Sequence, residues 1–182
     1  MIDFALTADA VAPQLLGCTL THAGVSIRLT EVEAYLGAED SAAHTFNGKT
    51  PRNAAMFGPP GRFYVYISYG IHRNVNIVCA PDGTGQGCLL RGGEIVEGAD
   101  TAFARRGTTD FHNLARGPGN LGKALGFTLE DNHQPIQIVE RTSEPEWVRG
   151  PRIGISKNKE AALRFWIPFD QTVSGRRGYP KK

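Results

Sequence analysis

The residues able to carry chemistry are the carboxylates Glu31 and Glu33, His44, the tyrosines Tyr64, Tyr66 and Tyr69, and the cations Arg91 and Lys123. No serine lies in a nucleophile-elbow setting, and the sequence contains no H-E-x-x-H. Cys18, Cys79 and Cys88 form no C-x-x-C pair and have no evident activating partner, which argues against thiol catalysis and cysteine-held zinc. A carboxylate that activates water is the simplest enzyme mechanism left. An aromatic side chain at a rigid hairpin turn suits stacking on or between nucleobases. These residue types call for no metal and no cofactor.

Glu33 has to be positioned by a strand. Val25–Leu29 alternates apolar with polar residues, and counting in twos from Val25 passes Ile27, Leu29, Glu31, Glu33 and Tyr35. An apolar face thus runs into two carboxylates and an aromatic. Charge on such a face is costly unless it is paired or used. Gly37 ends the run and sets Glu33 near a strand end. The plainer reading of this spacing is a strand leaving the core with both carboxylates in water. Next, Ala38–His44 reads as a loop that returns His44 beside that strand end.

The other elements follow from turn and cap signals. Asp9 can cap a helix through Leu15–Leu16, with Gly17 as its stop. Cys18–His22 reads as a strand joined to the Val25 strand by a turn at Ala23–Gly24, with His22 as a solvated strand end. Thr50-Pro51-Arg52-Asn53 opens a short helix through Met56–Phe57. Arg62–Gly70 is the strongest strand by propensity. Tyr64 and Tyr66 share one face of it, Tyr64 reading as strand packing, while Tyr69 sits exposed at the turn. Asn74–Cys79 is its partner, with Asn74 and Asn76 on one face. A short buried strand, Cys88–Arg91, comes after a long turn. Glu97–Arg106 predicts a helix. In Arg116–Gly126, Pro118 suits a first helical turn, and the glycine-rich approach at Gly117 exposes backbone N–H groups to a phosphate beside Lys123. Strands at Ile136–Glu140 and Leu163–Ile167 close the chain. This pattern predicts an α+β fold: a single domain over residues 1–182, with short helices packed around a curved, mostly antiparallel sheet.

Composition is that of a globular chain: 182 residues, 41% hydrophobic and 21% charged. A net charge of +2 demands no polyanionic partner, although Gly175–Lys182 and Arg105–Arg106 are basic. The 22 glycines and 11 prolines favour many short elements over a helical bundle. Unpaired cysteines, a Met1-Ile2-Asp3-Phe4 start without a secretory pattern, and the lack of a long apolar run predict a cytoplasmic monomer with no membrane partner.

Several separate motifs resemble the alkyladenine (3-methyladenine) DNA glycosylase family. They are Glu31-Val32-Glu33-Ala34-Tyr35-Leu36-Gly37, Glu39-Asp40, Ala42-Ala43-His44, Thr50-Pro51-Arg52-Asn53 with Met56-Phe57, Tyr64-Val65-Tyr66-Ile67-Ser68-Tyr69-Gly70, Asn76, Leu89-Leu90-Arg91, Gly117-Pro118 and Arg152-Ile153-Gly154-Ile155. Leu163-Arg164-Phe165 continues the likeness, which runs in order over most of the chain from Leu15. The resemblance implies a monofunctional enzyme that flips a damaged purine out of duplex DNA and hydrolyses its N-glycosidic bond. An abasic site is left for base excision repair, in a nucleoid-associated setting if the source is bacterial. It implies Glu33 as the catalytic carboxylate and Arg91 at the water site, with the backbone of Ile153 as a further water contact. Tyr35, His44 and Tyr66 would hold the flipped base, Asn76 would exclude guanine, and Tyr69 would be the intercalating wedge. His72, Arg73 and Asn74 depart from the apolar residues expected at the hairpin. They could add DNA-backbone contacts, as could Gly117 and Lys123. Glu31 has no catalytic counterpart and reads as structural. Two other readings remain at this level: a lesion-binding module without catalysis, and a nucleosidase using Glu31 or Asp40 as a second carboxylate.

Overall fold

The computed structural model describes residues 1–180; Lys181 and Lys182, the end of the basic tail, lie outside them. Strand β1 (Thr19–His22) turns through Ala23 and Gly24 into β2 (Val25–Tyr35). The hairpin β3 (Phe63–Ser68) and β4 (His72–Cys79) follows, then the long β5 (Gln86–Glu97). Short β6 (Ile138–Val139), β7 (Val148–Gly150) and β8 (Arg164–Trp166) come last. Among the described residues they form one eight-stranded sheet in the order β3-β4-β5-β2-β1-β6, with β8 joining β2 and β7 joining β8. The named pairings are antiparallel. The expected α+β class and antiparallel sheet are thus the architecture found.

Among the described residues, three short α-helices cover the sheet: α1 (Ala8–Leu15), α2 (Ala99–Arg106) and α3 (Pro118–Ala124). Helix α1 buries Ala8, Val11, Ala12 and Leu15, and α3 buries Leu121 and Ala124. Both feed one apolar core with Val25, Ile27, Leu29, Phe63, Val65, Val75, Ile77 and Leu90 of the sheet. Among the described residues no helix is long and apolar enough to cross a membrane.

Several boundaries differ from the sequence reading. Thr7, not Asp9, is the N-cap of α1, and Ala8 N–H is taken by Gln86 Oε1 at 3.0 Å. Thr50 and Asn53 bond each other in a turn, and only Ala54–Phe57 is helical, as a 3-10 turn. The strand around Arg91 continues to Glu97, so α2 starts only at Ala99. His22 is not a solvated strand end. Its ring stacks on Phe127 at 3.8 Å, and its nitrogens lie 2.8 Å from Leu125 O and 3.0 Å from Asp131 Oδ1.

The largest correction concerns β2. Val25, Ile27 and Leu29 face the core as expected, but beyond them the core residues are Val32 and Ala34. The register against β5 slips twice here: Leu29 pairs with Gly93, Glu31 with Gly92 and Val32 with Leu90. Thr30 is an extra residue on β2, and Arg91 is an extra residue on β5. Each bulge shifts the side-chain alternation of its strand by one. Glu31, Glu33 and Tyr35 therefore do not continue the core face; they turn to the opposite one. Gly92 permits this crossing, since a Cβ there would meet Thr172 O at 2.6 Å.

Candidate active site

One side-chain parity on four neighbouring strands builds a cleft of about 630 Å³. On β3, Phe63 and Val65 go to the core while Tyr64 and Tyr66 face the cleft. On β4, Val75 and Ile77 go to the core, and Asn74 and Asn76 to the cleft. On β5, Leu90 goes to the core, and Leu89 and Arg91 to the cleft. Tyr35 of β2 completes that face. Two loops close the sides. One carries Ser41, Ala42 and His44; the other runs from Ile153 to Lys157.

His44 meets Tyr66 edge-on at 4.5 Å, and its Nδ1 lies 3.4 Å from the Tyr64 hydroxyl. The Tyr64 and Tyr66 rings stack at 5.6 Å. Burial pushes the Tyr64 phenol up to about 12 and also raises that of Tyr66, so both stay protonated. Asn74 Nδ2 donates to the Tyr66 hydroxyl at 3.1 Å, and Asn76 Nδ2 to Tyr64 O at 3.3 Å. The result is an aromatic wall with its polar atoms held from behind.

Glu33 lies under the floor and is wholly buried. The three groups that hold it line the cleft. Ile153 N–H donates to Oε1 at 2.8 Å and the Tyr35 hydroxyl to Oε2 at 2.9 Å, while Arg91 Nε lies 3.5 Å from Oε1. Burial raises the Glu33 proton affinity, and Arg91, Ile153 and Tyr35 only partly counter it. Tyr35 is itself pushed up by burial and by the adjacent Glu33 charge, which keeps it a donor.

Glu31 is equally buried, yet its proton affinity is lowered: burial is outweighed by Arg91, Arg164 and Ser174. Arg164 Nε donates at 2.6 Å, Arg91 Nε at 3.2 Å and Ser174 N–H at 2.6 Å. Asp40 is likewise occupied. Arg152 grips both its oxygens at 2.6 and 2.8 Å, Asn158 Nδ2 donates at 2.9 Å, and Leu36 and Ala42 N–H groups add two more bonds. Despite burial, these partners hold the Asp40 carboxyl down at about 2. Neither residue is free to be the second carboxylate a nucleosidase would need.

The hairpin tip stands at the cleft mouth. Tyr69 lines the rim yet is 90% exposed, and Ile71 beside it is 68% exposed. Tyr69 has φ +49° and Gly70 φ +73°, the left-handed pair that tight hairpin turns use.

A protein-family model described as Methylpurine-DNA glycosylase (MPG) matches residues 3–171. The chain belongs to the methylpurine-DNA glycosylase family. A Corynebacterium efficiens relative is 68% identical over 99% of this chain and 97% of its own length. One from Corynebacterium glutamicum is 67% identical over 100% and 99%, and one from Mycobacterium leprae 44% identical over 97% and 89%. All three are provisionally named 3-methyladenine DNA glycosylase.

In this methylpurine-DNA glycosylase family member, the fold gathers Tyr35, His44, Tyr66, Tyr69, Asn76, Arg91 and Ile153 around one cleft with Glu33 beneath it. Arg73 is exposed on the hairpin, and Lys123 is exposed on α3. Gly119 of α3 packs against the His72 ring, so that helix flanks the hairpin. Gly117 differs from its reading as a phosphate donor: its N–H is already given to Arg91 O at 2.8 Å. Sequence reasoning missed Arg152, whose guanidinium lies 4.5 Å from the Tyr35 ring centroid, and the binding of Asp40 to it. An arginine directly before Ile153 and an acid in the His44 loop were visible, but their pairing spans more than a hundred residues.

Proposed function

We propose that this chain is a DNA glycosylase of the 3-methyladenine type, acting on alkylated or otherwise damaged purines in duplex DNA as a step of base excision repair. One observation carries the reading: a buried carboxylate, Glu33, held by two hydrogen-bond donors and a neighbouring guanidinium beneath an aromatic-walled cleft whose rim bears an exposed tyrosine. A base inside a duplex cannot reach such a cleft, so it is flipped out, and Tyr69 fills the gap it leaves. Tyr35 stacks on one face of the extruded base, with His44 and Tyr66 on the other; such stacking contributes roughly 1–3 kcal/mol per base. Asn76 meets the base edge and disfavours the exocyclic amine of normal guanine.

In the reaction, Glu33 takes a proton from water as the water oxygen bonds to the sugar C1′. The base departs with the electron pair of the N-glycosidic bond: a cationic alkylated base leaves neutral, and a neutral damaged purine leaves as an anion that takes up a proton from solvent. The Glu33 charge also stabilises positive charge growing on the sugar. Arg91 and the Ile153 N–H orient carboxylate and water together. Tyr35, Arg91 and Ile153, the groups around Glu33, all line the cleft, so the attacking water comes from that side.

Purified protein is expected to release methylated purines from duplex DNA with no added metal. Glu33→Gln should keep DNA binding and lose release by about 10²-fold or more. Near-normal turnover in that variant overturns the mechanism, and lesion binding without release by the unaltered protein would favour the non-catalytic module instead.

A further inference from the structure

The cleft face of Tyr35 is open to the base, but its outer face is covered. Arg152 stacks there, its guanidinium carbon 4.5 Å from the ring centroid. Ala34 O accepts from Arg152 Nη1 at 2.9 Å, and Asp40 grips Nη1 and Nη2. Both side chains of the pair are wholly buried. Asp40 is fixed in turn by Leu36 N–H, Ala42 N–H and Asn158 Nδ2. The chemistry proposed above uses neither residue.

A cation on one face of an aromatic ring draws the π electrons toward itself and repels a second cation on the other face. In a water-poor site that repulsion is not screened. An unpaired Arg152 would therefore weaken the stacking of a positively charged alkylated purine on Tyr35, and would leave a neutral damaged purine nearly unaffected. With Asp40 on the guanidinium, the charge behind the ring is cancelled.

We infer that Asp40 is a specificity-determining positioning residue: by neutralising Arg152 behind Tyr35, it admits cationic purines to the cleft beside neutral ones. The inference rests on the glycosylase reading above.

The test compares two variants that break the same ion pair from opposite ends. Single-turnover release of 7-methylguanine, a cation, and hypoxanthine, a neutral base, is measured from duplexes of one sequence. In Asp40→Asn a full charge remains behind Tyr35, and the ratio of cationic to neutral release should fall about tenfold. In Arg152→Met the cation is gone, and the ratio should rise above that of the unaltered protein. A purely structural pair moves both variants alike, so equal losses for the two bases, or ratios shifted in the same direction, overturn the inference. Should Asp40→Asn fail to fold, Arg152→Met decides alone: a ratio unchanged or lowered overturns it. Release of neutral bases only by the unaltered protein also overturns it. Release of neither base overturns the glycosylase reading itself.

Discussion

Glu31 and Glu33 stand two residues apart at equal depth, yet their environments drive their proton affinities in opposite directions. Glu31 has two guanidinium groups and an N–H; Glu33 has a share of one guanidinium and two neutral donors, and burial wins. Two consequences follow for pH. In the proposed mechanism Glu33 is ionised to accept the proton from water, so the acid limb of the base-release profile should lie above the ordinary glutamate range near 4.5. An acid limb at or below 4.5 would count against Glu33 as the base. For stability the signs differ. The folded-state values of Glu31 and Asp40 are depressed, so their contribution is present above the unfolded carboxylate range and is lost as pH falls toward about 2 for Asp40. Glu33, whose value is raised, works against folding as pH climbs from the ordinary glutamate range through its own. Replacing Glu31 with Gln strips the compensating charge from buried Arg91 and Arg164. Urea unfolding should then show a loss of about 3–5 kcal/mol. A loss under 1 kcal/mol would mean that the arginines find other partners.

At the scale of elements, the site depends on a pair of bulges. The strands, the tyrosine hairpin and its exposed tip were legible from alternation, propensity and the Tyr69–Gly70 turn, because those signals are local. The face on which Glu33 lies was not, because alternation holds only while register holds, and the slip at Thr30 and Arg91 is set by a distant partner. Gly92 and Gly93 were the available hint, since paired glycines inside a strand mark a bulge or a close backbone approach. The Asp40–Arg152 pair was out of reach for the same reason: nothing local joins the two residues. The turn itself yields a prediction. A tyrosine at φ +49° is strained, so Tyr69→Gly should stabilise the fold by about 1 kcal/mol while lowering base release and lesion binding. Thermal unfolding and single-turnover release on the same preparation check both halves. A destabilised variant would mean that the Tyr69 side chain packs in the free protein, and unimpaired release would remove it as the wedge.

For the molecule as a whole, a net charge of +2 leaves little overall field to attract DNA, so the placement of the cations matters. Arg91, Arg152 and Arg164 are buried against carboxylates, and Arg28 is shared between Glu94 and Asp170. These charges are spent on internal carboxylates, Arg28 at the margin of the surface. Among the described residues, those left at the mouth are Arg52 and Lys157 on the rim, with Arg73 on the hairpin and Lys123 on the helix packed against it. About four phosphate contacts of this kind give a slope near −3 to −4 for the logarithm of affinity against the logarithm of salt, shallow beside dedicated DNA-binding proteins. Arg73→Ala and Lys123→Ala should each reduce the slope by about 1 and weaken binding equally on damaged and undamaged duplexes, because phosphates carry no information about the lesion. Titrations across a salt series on both duplexes decide it. A variant whose slope stays at the parent value does not lose a phosphate contact, and one that weakens binding only to damaged DNA reaches into the cleft.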